Sequence, residues 1–156
     1  MLLILLRHAE AVERAATDSA RPLTPKGVEQ AARVARFLRR GKLQPNVVLS
    51  SPAVRAKQTE VLVAEVLDRE VVLDVALKPG MSPQAACEVI EKWSDAATVL
   101  FVGHEPDLSA LAAHLLGLSS PEVLRIRKAS LTGIELPHPT AGAGELQFFL
   151  PVRLMP

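Results

Sequence analysis

The stretch LLILLRHAE, residues 2–10, decides the architecture. Five apolar side chains run unbroken from Leu2 to Leu6 and are cut off by Arg7 and His8. A short run that is apolar at every position, rather than at alternate ones, predicts a strand covered on both faces. Such a strand needs helices above and below its sheet. Outward from it, Val47–Leu49, Val71–Val75 and Thr98–Val102 predict three more strands. Helical stretches separate them. Thr24 is placed to cap a helix with Pro25 at its first position. Val28, Ala31, Ala32, Ala35 and Leu38 then form one apolar stripe, and Gly41 is a plausible stop. Ser51, before Pro52, reads as the cap of a second helix over Ala53–Leu67. Lys78-Pro79-Gly80 reads as a turn, and Ser82-Pro83 opens a helix to about Trp93. Gly103–Asp107 reads as a loop, with Pro106 opening a helix that ends near Gly117. Two tail strands, Ser130–Leu136 and Glu145–Leu150, flank a Pro/Gly-rich turn.

Alternating strands and helices at this spacing imply an α/β fold: three layers, α/β/α, around a largely parallel sheet. The tail adds strands at one or both sides. The 156 residues make a single domain, 1–156, with no repeat and no interdomain linker. A chain of this size buries about 70% of its unfolded surface, so it needs no staples. Composition is 49% hydrophobic and 22% charged, which suits a buried core and a soluble surface.

Other function classes are disfavoured. The net charge is +1 and aromatics make up 3%, so stacking platforms for nucleic acid are not expected. Met1–Leu6 is too short for a signal peptide or a membrane span, and Arg7 ends it. The expectation is a cytoplasmic monomer. Cys87 is the only cysteine, which excludes an intrachain disulfide and a cysteine zinc site, and it reads as a packing residue.

Ligands of open parallel sheets bind beyond the carboxyl ends of the strands. Arg7 and His8 follow the first strand, Ser50 to Pro52 and then Arg55 the second, Gly103 and His104 the fourth. Two arginines and two histidines therefore converge at one edge, where two helix N-termini also open. The guanidinium fork matches phosphate oxygens, and two of them neutralise a phosphoryl dianion. Cationic neighbours keep at least one imidazole neutral, and a neutral imidazole nitrogen is a nucleophile. Phosphoryl transfer then needs mainly positioning. No metal and no cofactor are implied.

These residues carry a specific resemblance. LLRHAE, with Arg7-His8, resembles the first motif of the histidine phosphatase superfamily, which also holds the cofactor-dependent phosphoglycerate mutases. SSPAVRAKQT, with Arg55, and FVGHEP, with His104, are similar to its second and third motifs. DSARPLTPKG and GHEPDL look like the SixA-type phosphohistidine phosphatases. The resemblance spans almost the whole chain and implies a phosphoglycerate mutase-like fold. It implies His8 as nucleophile, with Arg7, Arg55 and His104 binding the phosphoryl group, and His104 catalytic as well. Arg21 is a further candidate at the pocket mouth; alternatively it pairs with Asp18 and braces that loop. Ser50 is a candidate phosphate contact.

One departure carries information. Larger members of the superfamily place a carboxylic acid after the third strand as proton donor. Here LDVALKPGMS offers none past the strand, with Ala76 in that region and Asp74 read as lying inside the strand. An alkoxide needs a general acid to leave, whereas phosphohistidine releases an imidazole whose conjugate acid has a pKa of about 6.5. The departure favours phosphoramidate substrates, with Asp18, Glu10 and Glu105 as substitute acids to weigh. The expected substrate is phosphohistidine on a signalling protein such as a phosphotransfer domain. The competing readings are a phosphatase for small esters or anhydrides and a non-catalytic phosphate-binding protein. Arg125, Arg127 and Lys128 form a small basic patch, read either as solvated or as a surface for an acidic partner. His114, His138 and Trp93 read as structural or surface residues.

Overall fold

A computed structural model describes residues 1–41 and 43–156. Six strands form one sheet: β1 (Leu2–Arg7), β2 (Val47–Ser50), β3 (Val71–Leu73), β4 (Thr98–Gly103), β5 (Leu131–Glu135) and β6 (Glu145–Leu150). Their order is β3-β2-β4-β1-β5-β6. The first four are parallel to one another, and β5 runs antiparallel to β1 and to β6. Both tail strands thus extend the sheet on the side of β1.

Period-two alternation along β1 divides the core. Ile4 and Leu6 face a cluster with α1 (Pro25–Arg40) and α2 (Val54–Leu67), including Val34, Leu38 and Val63. Leu3 and Leu5 face the opposite cluster with α3 (Pro83–Glu91) and α4 (Asp107–Leu116), including Ile90, Leu108 and Leu111. This is the expected α/β/α sandwich. The connectivity follows from handedness. Right-handed crossovers from β1 to β2 to β3 put α1 and α2 on one face, and the return to β4 puts α3 on the other. That return slots β4 between β2 and β1.

Caps show where local chemistry decided. The Thr24 hydroxyl accepts from the Gly27 amide (3.0 Å), and that of Ser82 from the Ala85 amide (3.1 Å). Gly41 closes α1 with right-handed φ and ψ, and Gly117 closes α4 at φ +68°. A Cβ at Gly27 would collide with the carbonyl oxygen of Glu10, so α1 approaches the segment after His8 as only glycine permits.

Several boundaries differ from expectation. Ser51 does not cap α2, which begins at Val54 with Ala53 at the cap position and no side-chain cap. Pro52 drives the residue before it toward extended backbone, and the Ser51 hydroxyl instead accepts from the Ala53 amide (3.2 Å). Strand β3 stops at Leu73, and Asp74 lies past it, not inside it. Its carboxylate accepts from the Ala76 amide (2.8 Å), opening a 3₁₀ turn over Val75–Leu77 that competes with the ladder. Helix α3 ends at Glu91, where the Trp93 amide bonds back to Ile90 and tightens the chain. Cys87 and Trp93 pack against the core on the α3–α4 face. His138 is exposed and His114 half-buried on α4. Among the described residues no helix is long and apolar enough to cross a membrane.

Candidate active site

Parallel pairing of β1 with β4 sets Arg7 opposite Gly103, and the His8 amide donates to the Gly103 carbonyl (3.0 Å). The next residue on each strand is therefore a histidine in the same place. The His8 and His104 rings lie 5.3 Å apart, tilted by 50°. Both are buried, at 5% and 2% exposure.

The tautomer of His8 follows from its partners. Its Nδ1 is 2.7 Å from the Ala9 carbonyl oxygen, which can only accept, so Nδ1 carries the proton. Nε2 then keeps its lone pair, which accepts from Arg55 Nε at 3.3 Å. Ala9 is itself fixed: its amide donates to Thr59 Oγ1 (3.0 Å), and that hydroxyl donates to the Arg55 carbonyl (2.7 Å). Thr59 thus ties the nucleophile candidate to the helix that carries Arg55. Sequence reasoning did not single it out, although it stands one turn after Arg55.

The other cations are held by backbone. Arg7 donates from Nη1 to the Ile126 carbonyl (3.0 Å), while its buried Nε has no partner among the described residues. Arg55 donates from Nη1 to the Asp18 carbonyl (2.7 Å) and from Nη2 to the Asp18 carboxylate (3.0 Å). Arg21 meets the other oxygen of that carboxylate (2.9 Å) and donates from Nε to the Val12 carbonyl (2.8 Å). Arg21 therefore pairs with Asp18 and braces that loop, and Asp18 in turn bonds to Arg55.

Burial, reinforced by the nearby arginines, holds His8 down to about pKa 3 and His104 to about 4. For Asp18, burial pulls upward, but the bonds and charges of Arg55 and Arg21 outweigh it and leave the carboxyl lowered. Burial raises Glu105. Ser109 Oγ is 2.8 Å from both the Glu105 carboxyl and the Leu124 carbonyl, and it has one proton for the two.

Ser50 and Glu10 have partners within the protein. The Ser50 hydroxyl is buried and donates to the Ser51 carbonyl (3.2 Å). Glu10 is drawn away to Lys26 (3.0 Å) and Thr24 (3.1 Å), and the Lys26 bond lowers its pKa. Arg7, His8, Arg55, His104 and Asp18 come together. Among the described residues no group of three or more His, Cys, Asp or Glu side chains is arranged to hold a metal ion. Among the described residues the buried Arg7 Nε and both ring nitrogens of His104 lack partners, so the site offers unsatisfied hydrogen-bonding groups.

The depressed histidines make stability depend on pH with a definite sign. The unfolded chain takes protons on these rings below about pH 6.5, and the folded chain does so only near 3 to 4. Their contribution is full above 6.5 and is lost as pH falls toward 4, by about 1.4 kcal/mol per pH unit for each ring. Urea unfolding across pH 4–7 should show this fall, and a His8→Asn/His104→Asn double variant should flatten it.

Comparison with known proteins agrees with the geometry. The family model for the histidine phosphatase superfamily (branch 1) matches residues 3–79. The phosphohistidine phosphatase SixA of Escherichia coli K12 is 31% identical over 127 residues, covering 78% of each chain. An uncharacterised Picosynechococcus protein is 34% identical over 152 residues, covering 94% of this chain and 89% of its own. The solved structure of the protein histidine phosphatase SixA complexed with tungstate superposes with a TM-score of 0.89 at 25% identity, over 98% of both chains.

Proposed function

Since this chain belongs to the histidine phosphatase superfamily, we propose that it removes phosphate from phosphohistidine on a protein, through a phosphorylated His8. The observation that carries this reading is the orientation of His8. Its Nδ1–H is spent on Ala9, so the Nε2 lone pair is the only one it can offer. Nε2 attacks phosphorus, and the bond from phosphorus to the substrate imidazole breaks with its electron pair leaving on that nitrogen; with a proton on the ring's other nitrogen, the group departs as neutral imidazole. Arg7, Arg55 and a neutral His104 N–H stabilise the charge on the equatorial oxygens. Water then attacks the phosphohistidine, releasing inorganic phosphate and restoring neutral His8.

The acids near the site favour this leaving group. Asp18 is held as a carboxylate by two arginines, Glu10 is paired elsewhere, and Glu105 is engaged with Ser109. Asp74 stands past β3, but its carboxylate is occupied by the Ala76 amide. A substrate that leaves as imidazole does not depend on any of them. Phosphohistidine on a protein as substrate is supported by the likeness to the protein histidine phosphatase SixA.

The test is turnover of a phosphohistidine peptide beside p-nitrophenyl phosphate and 3-phosphoglycerate. Phosphohistidine should have the highest kcat/KM, with an acid-labile, alkali-stable phosphoryl group trapped on His8. A preference for 3-phosphoglycerate would move the protein to the small esters and direct attention to Glu105 as acid.

A further inference from the structure

A second anionic feature of the substrate has a place beside the phosphoryl site. Arg7, Arg125, Arg127 and Lys128 line an open groove of about 400 Å³ whose lining contains no acid. Arg7 belongs to both places: its guanidinium bonds to the Ile126 carbonyl, in the middle of the basic segment. Ile126 is fully buried, so Arg125 and Arg127 on either side turn outward and are exposed.

The segment is anchored. The Ile126 amide donates to the Ser109 hydroxyl (3.2 Å), and the Ala129 amide to the Arg7 carbonyl (3.0 Å). Among the described residues none of Arg125, Arg127 and Lys128 has an ion-pair partner within 4.0 Å. Besides Glu122, which lines a neighbouring pocket with Arg125, the acids near this cluster are Glu105, toward Arg7, and Glu10, toward Lys128. The latter two are already engaged, Glu105 by Ser109 and Glu10 by Lys26 and Thr24. Arg125 also acts on Arg7 as an unfavourable like charge. Uncompensated cations fixed on a rigid segment attract anions, and mutual repulsion among them is relieved only when an anion arrives.

We propose that this groove docks acidic side chains flanking the phosphorylated histidine of a protein substrate. The proposal rests on the function given above and adds the chemistry of the partner surface. A phosphoryl group at His8 and an aspartate or glutamate in the groove would share Arg7, so both belong to one partner. Two exposed arginines and a half-buried lysine on an open groove suit a run of carboxylates on a protein better than a single small anion.

The experiment uses two phosphohistidine peptides of equal length, one flanked by glutamates and one by glutamines. They are assayed with the wild type and with an Arg125→Gln/Arg127→Gln/Lys128→Gln variant at low and high salt. The wild type should show a KM about tenfold lower for the acidic peptide at low salt, equivalent to about 1.4 kcal/mol. The preference should shrink at high salt, where screening shortens. The variant should lose it, with kcat for p-nitrophenyl phosphate unchanged. Equal KM values for the two peptides with the wild type, or a preference surviving in the variant, would overturn the docking surface and leave the phosphatase reading standing. A proportional loss on p-nitrophenyl phosphate would also overturn it, because the cations would then act on the chemistry. Failure of the wild type to hydrolyse either peptide would overturn both.

Discussion

His8→Ala should lower phosphate release by about 10⁴-fold or more and leave no phosphoprotein intermediate. The size follows from the loss of a covalent route rather than of one contact. The His8 Nε2 lone pair is fixed on Arg55, whereas among the described residues neither His104 nitrogen has a partner. Arg7, Arg55 and His104 remain in the variant, so it should still bind tungstate or phosphate. Rapid-quench trapping of the phosphoenzyme, with an oxyanion titration and a melting curve, separates the outcomes. Retained binding with lost turnover identifies an enzyme. Retained turnover would remove His8 from the mechanism and require another nucleophile.

Arg55→Ala should reduce kcat by about 10³-fold, at the low end of what a charge-stabilising arginine contributes to phosphoryl transfer. One guanidinium serves three contacts: Nε on His8 Nε2, Nη1 on the Asp18 carbonyl and Nη2 on its carboxylate. Arg55→Lys should recover little, because an ammonium cannot reproduce a planar fork. The variant also tests the electrostatics. Burial is the first cause of the low pKa of His104 and the Arg55 charge the second, while Asp18 acts in the opposite sense. NMR titration of His104 in Arg55→Ala should therefore show its pKa raised, and an unmoved value would mean that burial alone sets it.

The parts of the fold legible in the sequence were those decided locally. Strand β1 could be read from five apolar residues in a row, and the caps at Thr24 and Ser82 from hydroxyl-proline pairs. Arg7, His8, Arg55 and His104 could be placed because each follows a strand, where a parallel sheet presents its ligands. The insertion of β4 between β1 and β2 is a property of the whole sheet, and no local pattern records it. The same limit hid Thr59, whose partner Ala9 lies fifty residues away. Ser50 and Glu10 have suitable chemistry and suitable neighbours in sequence, but nearer backbone and a lysine claim them first. Asp74 was misplaced for a reason of that kind: an aspartate can trade ladder pairing for a turn of its own.

The pairing of Asp18 with Arg55 has a consequence for how this protein receives a ligand. The carboxylate already occupies Nη2 and the backbone Nη1, on a three-residue turn with no buried side chain to hold it rigid. An arriving oxyanion draws on the same guanidinium, so it trades places with an occupant that the chain carries itself. When the oxyanion departs, the resident carboxylate is at hand to reclaim the arginine. A phosphate titration of this protein therefore measures the balance of an exchange rather than the filling of a vacancy.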